Sequence, residues 1–204
     1  MLRVMPKKND GPHDWSDPPK NWAEEQAHRV ALEVRRLRGK RPVQWLADRT
    51  RELGSPVTRS VISDLELGRR RYVTTAELTV LAYALNTRPI ALIFPPPYSD
   101  QIDIIPGVTT TKLDALEDFC DKHSTVTGLS SLVEAEQNLH TLRVARFIAE
   151  WEAKRRDALI RLQSAKKEED PSVRKALEER YRVELDWAEQ NLEVMKERRD
   201  SDGG

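Results

Sequence analysis

Between residues 22 and 94 the chain is cut repeatedly. Apolar side chains recur there at helical spacing, and the pattern is stopped at Gly39, Gly54, Gly68 and Pro95-Pro96-Pro97. Glycine just past a helix end and proline beyond it are stop signals, so this stretch predicts several short helices and no long one. Trp22, Ala27, Val30, Ala31, Val34 and Leu37 share one face of the first. Its last turn carries Arg35, Arg36 and Arg38, where the helix dipole favours positive charge. Val43, Leu46, Ala47 and Leu53 mark the second, with Pro42 at its start. Thr58 is a good N-cap for a third helix that turns Val61, Ile62 and Leu65 inward. Thr74 or Thr75 opens the fourth, lined by Leu78, Leu81, Ala82 and Leu85, and residues 90–94 form a short fifth. Five helices over residues 21–97 predict a compact all-α domain with its own core.

The rest of the chain reads differently. Residues 1–20 hold four prolines and no apolar period, which predicts a flexible arm. Residues 98–128 read as a linker with local structure: 101–105 alternate like a strand, and 114–119 suit one or two helical turns. From 129 to 200 the pattern is long-helical. One stripe is Leu132, Ala135, Leu139, Leu142, Ile148, Trp151, Leu159 and Leu162. The other is Leu177, Tyr181, Leu185, Ala188, Leu192 and Met195, in the steps of three and four that form a coiled-coil-like seam. Asp170-Pro171 parts the two as N-cap and first helical residue, predicting an antiparallel hairpin.

Composition excludes several classes. Hydrophobic residues make up 38% and charged ones 33% of the 204, against a usual charged share of about 25%. That suits helices with one buried stripe better than a β-sandwich. A single cysteine, Cys120, rules out a disulfide within the chain and fits a reducing compartment. No apolar run approaches a membrane span and no secretory core is present, so the expected location is the cytoplasm, with no membrane partner. Charge balances only in total. Residues 1–99 carry 17 basic and 11 acidic side chains, and residues 100–204 carry 17 and 23. A basic module for a polyanion joined to an acidic module of other use is the expectation.

The segment from Leu37 to Arg49, then Thr58 to Arg71, then Glu77 to Asn86 resembles the Cro/repressor-like (XRE) helix-turn-helix family of DNA-binding transcriptional regulators. Leu46-Ala47, Ile62-Ser63 with Leu65-Glu66 and Gly68, and Leu81-Ala82 with Ala84-Leu85 carry the resemblance, which covers residues 24–95. It implies a five-helix lambda-repressor-like domain, double-stranded DNA as partner, a repressor role and a homodimer on paired half-sites. It also implies base reading by Arg59, Ser60 and Ser63. Backbone contacts are implied at Arg41, Val43 and Gln44, at Thr58, and at Arg69, Arg70 and Arg71. Glu66 matches the family's internal carboxylate, with Arg38 as its candidate partner in a structural ion pair and Arg36 as second choice. The step from Ala47 to Ile62 is longer than in compact members, so the tilt of the third helix does not carry over.

The residues agree on chemical grounds. A major groove about 12 Å wide admits one helix, whose outward donors and acceptors read the base edges. Arginine can bond guanine O6 and N7 together, while serine specifies less. Asp64 either accepts from a cytosine amino group or holds a basic neighbour. Three arginines beyond such a helix suit flanking phosphates, which fix register without reading sequence.

Catalysis finds little purchase, and no enzyme activity, metal or cofactor is expected. Cys120 and His123, with His140, fall short of the two close ligand pairs of structural zinc. No glycine-rich phosphate loop occurs. The acidic hairpin admits dimerisation, docking of another protein, or folding back on the basic half, and dimerisation is the reading taken forward. The rival class is an antitoxin or adaptor that uses the helical domain as scaffold.

Overall fold

The computed structural model describes Trp15, residues 17–122 and residues 132–202. The chain divides into two compact units, Met1–Gly128 and Leu129–Gly204.

The first unit opens with α1 (Trp22–Arg38), α2 (Val43–Glu52), α3 (Arg59–Glu66), α4 (Thr75–Ala84) and α5 (Pro89–Ile93). Their starts follow from capping chemistry. Asn21 accepts from the Glu24 amide, Thr58 from the Val61 amide, and Thr74 and Glu77 form a reciprocal capping box. Gly39 ends α1 at φ 61° and ψ −133°, a backbone state that side chains with a Cβ avoid. Val34, Leu46, Ile62, Leu81 and Leu92 are the fully buried centre, one or more from each helix. Thr50, also fully buried, locks the long connection from α2 to α3. Its hydroxyl donates to the Ala47 carbonyl at 2.8 Å and accepts from the Val57 amide at 2.9 Å. The polar group is thereby satisfied inside an apolar core.

One expectation needs correction. The unit is mostly helical, not all-α: β1 (Gln101–Ile105) and β2 (Val108–Thr111) pair antiparallel, with Ile105 opposite Val108. Pro106 and Gly107 make the turn, and Gly107 takes the φ of +80° that a proline-glycine turn requires. The sheet runs into α6 (Lys112–Phe119), capped by Thr111. Ile102 and Ala115 bury Phe94, with Ile90 and Ile93 alongside. The strand expected over 101–105 and the helical turns expected over 114–119 are both present, and residues 98–122 complete a second small core around Phe94.

The arm is likewise more than free chain at its end. Residues 1–14 and 16 lie outside the described residues. Trp15 packs on the main core, stacks on His28 at 4.4 Å and donates from Nε1 to the Leu65 carbonyl at 2.9 Å.

The second unit is a helical hairpin of α7 (Leu132–Ala165) and α8 (Pro171–Asp202). Asp170 accepts from the Ser172 and Val173 amides at 2.8 and 3.1 Å, starting α8. Trp151, Ala188 and Leu192 form its centre with Ile148. On α7 the buried stripe takes Val144, Ala158 and Ala165, whereas Leu142 is exposed. Among the described residues no helix is long and apolar enough to cross a membrane.

Candidate nucleic-acid interface

The geometry of α3 follows from its period. Ile62, Leu65 and Glu66 are buried, which leaves Arg59, Ser60, Ser63 and Asp64 on the outer arc. Arg59 and Ser60 are exposed; Ser63 and Asp64 are half-buried. Thr58 hydrogen-bonds Ser60 through their hydroxyls at 2.9 Å besides capping the helix. Among the described residues no hydrogen bond or ion pair engages the Arg59 guanidinium. A solvated, unpartnered arginine at the start of a short helix is available for an outside acceptor.

Glu66 points the other way. Arg38 Nε and Nη2 donate to its two carboxylate oxygens at 2.8 and 2.6 Å, and this pair joins the end of α1 to the end of α3. The carboxylate holds the Arg38 pKa above its ordinary value. Arg36 bonds instead to Glu33.

The three arginines after α3 separate into different roles. Arg69 is 55% exposed and reaches Asp64 at 3.1 Å, so of the two readings of Asp64 the free protein has it holding a basic neighbour. Arg70 and Arg71, expected at phosphates, are committed within the fold. Arg70 is 16% exposed and donates to both oxygens of Glu77 at 2.7 and 3.0 Å, over the Tyr72 ring. Burial raises the Glu77 pKa, but bonds from Arg70 and Thr74 outweigh it and leave the carboxyl below its ordinary value. Arg71 donates to Glu24 at 2.8 Å, to the Asp17 carbonyl at 3.1 Å and to the Pro18 carbonyl at 3.3 Å. It straps the arm to α1. The Lys20 amide, and then Arg71, hold the Glu24 carboxyl below its usual range.

At the start of α2, Arg41 is exposed and caps α1 by donating to the Arg38 and Leu37 carbonyls, its guanidinium 3.9 Å from the Trp45 ring centre. Gln44 is exposed and donates to Asp48 at 2.9 Å. Val43 is half-buried against the core, leaving its backbone and not its side chain as the polar contact it can offer.

Sequence reading missed Glu77, Glu24 and Trp15 as partners of this surface. The spacing Thr74-x-x-Glu77 is a capping-box signal that marks the carboxylate. Nothing local marks the other two. Cys120 is a half-buried free thiol and His123 lies outside the described residues. Among the described residues no three metal-ligating side chains gather. Compared with family models, curated proteins and solved structures, the chain finds no match in any of the three.

Proposed function

We propose that this protein is a sequence-specific double-stranded DNA-binding transcriptional regulator, a repressor acting in the cytoplasm on the nucleoid. In this reading α1–α5 are a lambda-repressor-like helix-turn-helix domain, and α3 enters the major groove. The observation that carries it is the outer arc of α3, where Arg59 stands exposed and unpartnered beside Ser60 and Ser63, over an inner side fixed by Ile62, Leu65 and the Arg38–Glu66 pair. Rigid support with a free donor is what base reading needs. Asp64 and Arg69 flank the arc; on DNA, Arg69 turns to a phosphate and releases Asp64 to a cytosine amino group. Arg41, Gln44, Thr58 and the amide of Val43 contact the backbone. Arg70 and Arg71 support this surface from within.

The hairpin supplies the second copy. Val183, Trp187 and Val194 are exposed along α8, Trp187 to 59%, an apolar surface that self-association covers. Selection of bound fragments from a random DNA pool tests the reading. A single recovered motif of two related half-sites, lost with Arg59→Ala, supports it; recovery of no motif refutes it.

A further inference from the structure

A cleft of about 470 Å³ lies where α1 faces the β1–β2 hairpin and the start of α6, lined in part by Glu25, Arg29, Asp100, Asp103 and Lys112. The charges in it are unequally satisfied. Lys112, only 10% exposed, donates to Asp100 at 2.9 Å, and that pair is closed. Asp103 accepts from the Thr109 hydroxyl at 2.6 Å through one oxygen, and its backbone carbonyl accepts from Trp22 Nε1 at 2.9 Å. Arg29 is left over. Its Nε is buried and has no hydrogen-bond partner. Burial lowers the pKa of this guanidinium, and the charges of Glu25 and Asp103 only partly oppose that. Both carboxylates are felt, yet neither is bonded to it.

A half-buried guanidinium with no acceptor among the described residues, its Nε shut off from water, is an unfavourable arrangement for a folded protein to keep. An incoming carboxylate or phosphate would bond the guanidinium through its remaining, solvent-reached nitrogens. Three carboxylates against two cations line the cleft, however, so a purely anionic ligand meets net repulsion. A purely cationic ligand leaves Arg29 as it is. A molecule with one negative and one positive group fits both ends, and the volume lies within the range of about 300–1,000 Å³ found for small-molecule sites.

We infer that this cleft binds a small zwitterion of the free amino acid class, its carboxylate on Arg29 and its ammonium between Glu25 and Asp103. Charge-assisted bonds at both ends provide affinity and polarity of binding. None of these side chains belongs to α3, so the site stands whether or not α3 reads DNA.

The test is calorimetric titration of the full chain, with thermal unfolding as a second readout, against each common amino acid at millimolar concentration. Acetate and methylammonium at equal concentration serve as half-ligand controls. At least one amino acid should bind saturably and raise the unfolding midpoint, with neither control matching it. Arg29→Met and Asp103→Asn should each weaken that binding by about tenfold or more. No binding by any amino acid, or acetate alone binding as well, overturns the proposal. Glu25→Gln, on the exposed rim, decides the matter where Arg29→Met does not fold: affinity unchanged in that variant overturns it too.

Discussion

Arg38 and Glu66 face each other through two parallel hydrogen bonds, with 12% and 7% of their side chains exposed, and so tie the last turn of α1 to the last residue of α3. A bidentate contact of this kind fixes direction as well as distance.

Removing one partner strands the other. Arg38→Ala should lower the stability of the first unit by about 3–5 kcal/mol, because Glu66 is then buried and unpaired. Replacing both by methionine should cost less than either single change. Urea denaturation of Arg38→Ala, Glu66→Ala and the double methionine variant checks this, and equal losses in all three contradict it.

Arg59 and Arg70 should behave oppositely. Arg59→Ala is expected to leave the unfolding midpoint unchanged and to relax preference at one base position by about 1–3 kcal/mol. Arg70→Ala should destabilise the fold, since Glu77 loses its partner and the α4 capping box its anchor. Measuring stability and operator binding side by side separates the two. Arg70→Ala with native stability and uniformly weakened DNA binding would return that residue to the phosphates.

His28 gives stability a pH dependence. Burial, and then the positive charges of Arg71 and Arg29, hold its imidazole below the ordinary value. The folded protein therefore prefers His28 neutral. That stability is fully present above the unfolded pKa of about 6.5 and is lost as pH falls through the lower folded value. Urea midpoints should decline across this window more steeply in the wild type than in His28→Gln. Identical slopes would show that the Trp15–His28 stack is indifferent to charge.

Much of this was legible in advance because its signals are local. Gly39, Gly54, Gly68 and the prolines from 95 onward stop helices by backbone chemistry, and Thr58 caps α3 from next door. The strand at 101–105 showed in its alternation, but β2 and the pairing did not, because a run of threonines makes a weak strand signal until Phe94 needs covering. On α7, burial of Val144 in place of Leu142 depends on how α8 crosses it. Arg69, Arg70 and Arg71 look alike as a run. Glu77, from α4, and Glu24, from α1, make them different, and no spacing rule connects those positions.

The boundary of the first unit has a practical consequence. Truncation after Gly128 should give a folded domain that binds an operator more weakly than the full chain, as a monomer binds paired half-sites. Truncation after Pro97 should unfold at lower temperature, because Ile102 and Ala115 no longer cover Phe94. Particle mass and thermal unfolding of the two truncated proteins decide this; an unchanged mass and affinity after Gly128 would refute dimerisation through the hairpin.

The most direct test of the central claim is the salt dependence of binding to a labelled duplex, measured for the full chain and for Arg59→Ala. On the selected operator the wild type should lose affinity with a log–log slope of roughly −4 to −8 for a dimer, at about 0.9 per phosphate neutralised. Arg59→Ala should keep most of that slope while losing its preference for the operator over random DNA. A flat response, or equal affinity of both proteins for both duplexes, would contradict α3 as a reader of DNA.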